Sequence, residues 1–186
     1  ADYVEGSIGL YVTNSTGYEY RIKDYEFIFG DYAKDSVLVY INNGILTLDN
    51  VTSSAINITS GKNNTGLAVI GNNSVLNLYP DVIVGSSSNQ VDGTTALYAS
   101  TGGKINLLDS NTIETNGAKS HGIVLMGGSY LNEESAGGTY NFITTGDSSG
   151  TLYVKNSTVD LDNSIVNISA TGDSSIGVYK NGGTVD

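Results

Sequence analysis

Apolar residues occur in short alternating runs along the chain, and one run keeps returning: Gly9-Leu10-Tyr11-Val12, Val39-Tyr40-Ile41, Gly66-Leu67-Ala68-Val69, Ala96-Leu97-Tyr98-Ala99, Gly122-Ile123-Val124-Leu125, Leu152-Tyr153-Val154 and Gly177-Val178-Tyr179. Counted at Leu10, Val39, Leu67, Leu97, Ile123, Leu152 and Val178, the intervals are 26 to 30 residues, a period that marks repeat architectures. A unit of that size cannot bury its apolar side alone. Each copy must cover the next, so stability accumulates along one axis and the molecule is expected to be elongated.

Within a unit the pattern divides into three strand candidates. After the recurrent run comes a turn of residues that tolerate positive φ, such as Asn42-Asn43-Gly44, Asn72-Asn73, Gly102-Gly103, Gly127-Gly128 and Asn181-Gly182-Gly183. A second strand follows in Leu46-Thr47-Leu48, Leu76-Asn77-Leu78, Ile105-Asn106-Leu107 and Val159-Asp160-Leu161, with another opening at Thr184-Val185-Asp186. Its alternation places Thr47, Asn77, Asn106 and Asp160 on the wet face. A polar corner comes next, in Asp49-Asn50, Asp109-Ser110-Asn111 and Asp162-Asn163, where stacked side chains are expected to bond from coil to coil. The third strand is Ile56-Asn57-Ile58, Val82-Ile83-Val84, Thr112-Ile113-Glu114, Tyr140-Asn141-Phe142 and Val166-Asn167-Ile168, and a loop of variable length closes the circuit.

Three strands and three turns in under about thirty residues leave no room for a crossover helix, and a propeller blade needs about forty residues. The fold predicted is therefore all-β: a parallel β-helix of about six coils of three short strands, one domain over residues 1–186, with an atypical, more charged and aromatic first coil over 1–35. No cap pattern follows Thr184, so the expectation is a segment of a longer solenoid.

The phrases Ala96-Leu97-Tyr98-Ala99-Ser100-Thr101-Gly102-Gly103-Lys104-Ile105-Asn106-Leu107, His121-Gly122-Ile123-Val124-Leu125-Met126-Gly127-Gly128-Ser129 and Ile176-Gly177-Val178-Tyr179-Lys180-Asn181-Gly182-Gly183-Thr184-Val185 resemble the repeats of bacterial autotransporter passenger domains, the exported part of type V secretion proteins. The resemblance covers nearly the whole chain. It implies a right-handed β-helix, either secreted or held at the outer surface of a Gram-negative cell, with the translocating barrel and signal peptide outside these residues. Many such passengers are adhesins in cell adhesion and virulence. The expected partners are accordingly a host or bacterial surface protein or glycan, met by a monomeric solenoid.

Charge narrows the partners. With Asp+Glu 19 against Lys+Arg 8 the chain is acidic, which disfavours nucleic acid, whose phosphates call for clustered Lys and Arg. No apolar run approaches the roughly 20 residues of a membrane-spanning helix, so no membrane insertion by this segment is expected. Cysteine is absent, which removes disulfides and thiolate metal sites, and no cofactor or metal is expected.

The slot held by Tyr11, Tyr40, Tyr98, Tyr153 and Tyr179, with Ala68 and Val124 in the other two coils, is the candidate ligand-binding feature. Its apolar neighbours face the core, so the slot faces outward. Stacked rings would steady the sheet by about 0.2–1 kcal/mol per pair, or they would form an aromatic strip for a glycan or protein. Tyr18, Tyr20, Tyr25, Phe27, Phe29 and Tyr32 could form a binding excursion of the first coil or pack locally. The alternative function is a carbohydrate-active enzyme, a polysaccharide lyase or glycosidase, which requires paired carboxyls about 5–9.5 Å apart. Asp109 with Asp81 and Asp147 with Asp173 are the candidate pairs, but they fall where Asp forms turns. His121 is the only histidine and is expected on a surface loop, and no nucleophile motif accompanies it, so no catalytic residue is assigned. Sequons at Asn14, Asn50, Asn57, Asn63, Asn72, Asn156 and Asn167 are expected from composition alone.

Overall fold

A computed structural model describes residues 4–13, 18–23, 27–30, 33–49, 55–134 and 137–186. Every described strand pair is parallel apart from a single-residue antiparallel bridge within the Gly85–Gly93 loop, and the strands form a β-solenoid of about six turns. The first strands are Ile8–Thr13, Val37–Asn42, Thr65–Ile70, Thr95–Ser100, His121–Met126 and the opening parts of Gly150–Asp160 and Ile176–Val185. The second strands are Glu19–Ile22, Ile45–Leu48, Val75–Leu78, Lys104–Leu107, Tyr130–Glu133 and the closing parts of those two long strands. Together they make one 12-stranded sheet, continuous because the last two coils pair straight through the turn. The third strands, Ala55–Ile58, Asp81–Val84, Thr112–Thr115, Thr139–Thr144 and Ile165–Ala170, form a separate 5-stranded sheet.

The register is the one the repeat predicts. Leu10, Val39, Leu67, Leu97, Ile123, Leu152 and Val178 pair in succession, one per coil. Val39 through Leu152 are buried; Leu10 is half-buried and Val178 is 43% exposed, because each lies in an outermost coil of the stack. Parallel columns of Leu46, Leu76, Ile105, Leu131 and Val159, and of Ile56, Val82, Ile113, Phe142 and Ile168, supply the other walls of the core.

Two second strands were not anticipated. Glu19–Ile22 pairs with Ile45–Leu48, and Arg21 ties this strand down through Asp49 (3.4 Å) and the Tyr79 ring (5.9 Å). Tyr130–Glu133 is the fifth coil's second strand, and it puts Glu133 in the inward column of Leu48, Leu78 and Leu107. That carboxylate is held by the Asn163 N–H (3.0 Å) and the Ser164 hydroxyl. The outer residues Thr47, Asn77 and Asn106 are not simply wetted. Asn77 Nδ2 donates to Thr47 Oγ1 (2.9 Å) and Asn106 Nδ2 to Asn77 Oδ1 (2.8 Å), and Thr47 itself donates to Glu19, so a side-chain ladder runs down the face with both Thr47 and Asn106 buried rather than wetted.

The corner side chains bond from coil to coil at Ser110, which accepts the Thr139 N–H at 3.0 Å, and at Asn111, but not at every residue expected. Asn50 lies outside the described residues. Asp109 accepts the Ser110 N–H within its own corner (2.8 Å), and Asn163 makes its coil-to-coil bond by donating its backbone N–H to Glu133, while it is the Asn111 side chain that reaches the previous coil, at the Tyr79 and Pro80 carbonyls (2.8 and 2.9 Å). Positive φ is found in the turn after the first strand, as expected, at Asn43, Gly102, Gly127, Gly128, Gly182 and Gly183, and also at the loop exit, where Gly6, Asp35, Asn63, Gly93, Lys119, Ser148 and Ser174 each precede a hydroxyl or amide residue: Ser7, Ser36, Asn64, Thr94, Ser120, Ser149 and Ser175. The backbone N–H groups of Ser7, Ser36, Asn64, Thr94, Ser120 and Ser149 each donate to the side-chain oxygen of the next coil's residue, ending at Ser175, at 3.0–3.3 Å. The loop varies in length, but its last two residues repeat in every coil because they carry this ladder.

Candidate functional site

The outward slot of the first strands is built by the same register. Tyr11, Tyr40, Ala68, Tyr98, Val124, Tyr153 and Tyr179 pair in order down one face. Tyr11 is 51% exposed, Tyr179 is exposed, and Tyr40, Tyr98 and Tyr153 are half-buried, as expected for rings lying against one another on a solvated sheet. Tyr11 and Tyr40 have centroids 5.4 Å apart with planes tilted by 38°. Tyr153 and Tyr179 are stacked, at 4.8 Å and 13°. Tyr98 stands between the two pairs, flanked by Ala68 and Val124, and its hydroxyl points to Met126 Sδ at 3.8 Å. All five tyrosines thus share one strip, interrupted at two coils by smaller residues. Its chemistry is that of apolar ring area with a hydroxyl at the rim, suited to a CH-rich surface that also carries hydroxyls.

Beside this strip the structure places His121 on a strand rather than on a surface loop. It opens His121–Met126 and pairs with Thr95 above and Gly150 below. Its Nδ1 is closed off from solvent beside the Gly150 backbone. Burial pushes the imidazole below its ordinary pKa, partly offset by that backbone contact, so the ring is neutral at physiological pH. Nothing in the sequence marked His121 out except its being single. The available signal was the glycine that follows Thr65, Thr95 and His121 in one column.

The carboxyl pairs are arranged as turn elements. Asp81 accepts the Thr112 N–H at 2.6 Å, Asp92 the Ala118 N–H at 2.9 Å and Asp147 the Asp173 N–H at 2.9 Å. Burial raises the Asp81 pKa, the Thr112 bond lowers it, and the nearby Asp109 charge raises it. Among the described residues no group of three or more His, Cys, Asp or Glu side chains is placed to hold a metal, and no helix is long and apolar enough to cross a membrane. In the first coil Tyr18 and Tyr20 are exposed while Phe29 is buried; Tyr25 and Tyr32 lie outside the described residues. The sequon residues Asn57, Asn63, Asn72, Asn156 and Asn167 are exposed, and Asn14, like Asn50, lies outside the described residues.

Compared with known proteins, the chain matches no protein-family model, no curated protein and no solved structure.

Proposed function

We propose that this chain is a β-helical passenger segment of the autotransporter kind, acting without catalysis at a bacterial cell surface or after secretion, as an adhesin or the stalk of one. Its partners are a surface protein or glycan of a host or neighbouring cell. One observation carries the reading: five tyrosines arranged in register along a single outward strip of the solenoid. Aromatic rings held on a stiff sheet lose little side-chain freedom when a partner packs on them, which makes such a strip effective in binding. The surplus of acidic residues, 19 against 8 basic, keeps the stalk soluble and turns phosphate-rich partners away.

The test is binding of the purified chain to arrayed glycans, surface proteins and whole cells, repeated with Tyr40→Ser/Tyr98→Ser. Binding should weaken by about tenfold or more, equivalent to roughly 1.4 kcal/mol, with the circular dichroism spectrum unchanged. Unchanged binding by a folded double variant would remove the strip from the reading.

A further inference from the structure

Three successive coils meet at a notch of about 300 Å3 whose lining includes His121, Ser148, Ser149, Tyr153, Ser174 and Tyr179. It exists because of a single residue. The column Thr65, Thr95, His121, Gly150, Ile176 carries a side chain in every coil but one, and Gly150 leaves a space into which its neighbour can lean. The His121 ring settles over that space, so that a Cβ at Gly150 would stand 2.8 Å from its Nδ1. The other wall is the stacked pair Tyr153 and Tyr179. The volume is at the lower end of the about 300–1,000 Å3 typical of ligand sites, so it suits one ring rather than an extended chain.

The lining chemistry selects the occupant. Two phenol rings, with Leu152 and Ile176, offer an apolar wall, while the exposed hydroxyls of Ser148 and Ser174 and an uncharged imidazole offer donors and acceptors around it. A purely aliphatic guest would leave those polar groups unpaired. An anionic guest would meet a chain of net charge −11 with no cation in the lining. A pyranose ring has the matching pattern, with a C–H face to lie against the tyrosines and hydroxyls on its edge. We propose that the notch between His121, Gly150 and the Tyr153–Tyr179 pair is a subsite for one neutral pyranose residue of a glycan. This rests on the reading of the tyrosine strip as a binding surface and assigns that surface a sugar-sized anchor point.

The experiment is saturation-transfer NMR on the chain with methyl glycosides of glucose, galactose, mannose and N-acetylglucosamine, followed by calorimetric titration of any that bind. At least one should receive saturation at its ring C–H protons and shift the His121 and Tyr179 ring signals. Gly150→Thr should then weaken binding by about tenfold or more, because it fills the space with the residue that Thr65 and Thr95 already place in this column. Its backbone is not in the positive-φ region and the nearest atoms belong to a side chain, the His121 ring, which has to shift to admit the new methyl and hydroxyl. If Gly150→Thr lowers the melting temperature, His121→Ala and Tyr179→Ser supply the same readout. Failure of all four glycosides to bind, or binding that survives Gly150→Thr in a folded chain, overturns the subsite. Cell or array binding that depends on Tyr40 and Tyr98 without any notch binding removes the subsite alone. Notch binding with adhesion indifferent to Tyr40 and Tyr98 removes the strip alone.

Discussion

Ser120 and Ser149 join adjacent coils through reciprocal bonds: the Ser120 N–H donates to Ser149 Oγ at 3.1 Å, and the Ser149 hydroxyl donates back to the Gly117 carbonyl at 3.0 Å in the coil of Ser120. Both residues are buried, so neither bond is replaced by water. The same exchange recurs one coil earlier, where Thr94 N–H meets Ser120 Oγ and Ser120 returns to the Val91 carbonyl (2.9 Å). The ladder pins the start of every first strand to its neighbour, and a one-residue slip there would turn every apolar column outward.

Ser149→Ala should therefore cost about 1–3 kcal/mol, since it leaves the buried Ser120 N–H without an acceptor. Ser149→Thr should cost much less, because Thr94 already fills this position in another coil. Chemical denaturation measures the difference, and faster hydrogen exchange at the Ser120 amide locates it.

How far the sequence could be read follows from which residues repeat in kind. The anchor column and the tyrosine slot were legible because alternation in a sheet has period two, so once the repeat is aligned each face is assigned. Tyr130–Glu133 was not legible, since its last inward position carries a carboxylate where Leu48, Leu78 and Leu107 stand, and only the structure reveals Asn163 and Ser164 closing on it. The loop-exit ladder escaped notice because Ser, Thr and Asn perform one task there and the preceding residue has no common chemistry, only a common positive φ. The notch at Gly150 was hidden for a further reason: a glycine in a strand reads as a weak point, and its value here is the space it leaves beside His121.

A second glycine column gives a sharper expectation. A Cβ at Gly146 would lie 1.9 Å from the Gly117 carbonyl oxygen, and one at Gly172 would lie 2.2 Å from that of Gly146, so backbones touch where side chains cannot fit. Gly146→Ala must push the loop away from its neighbour and should cost at least about 1–3 kcal/mol by thermal unfolding. Gly30→Ala, where no atom lies within 4 Å of the added Cβ and φ is likewise not positive, is the control without the crowding.

The tyrosine strip should contribute little to stability. Tyr11→Ser removes an exposed ring tilted against Tyr40 and should shift unfolding by less than about 1 kcal/mol. Tyr140→Ser, by contrast, empties the space of a fully buried ring and should cost several times more, about 3–5 kcal/mol. Equal losses from the two variants would mean that the outer rings are structural.

Asp81 gives the pH dependence a definite sign. Burial raises its carboxyl above the ordinary range, Asp109 adds to that, and the Thr112 N–H only partly opposes it. Between the ordinary carboxylate value and the raised one, the folded chain holds more protons at this site than the unfolded chain does. Stability from this site therefore falls as pH rises through that window, and above it the charged Asp81 is a persistent cost. Asp81→Asn keeps an oxygen to accept the Thr112 N–H and removes the charge that burial and Asp109 penalise. The variant should melt at a higher temperature than the parent at pH 7, and the advantage should disappear below the carboxylate range, where the parent's Asp81 is protonated in both states. Melting curves at pH 3 and pH 7 decide it, and a variant less stable at pH 7 would mean that the Thr112 bond to the charged carboxylate outweighs the burial.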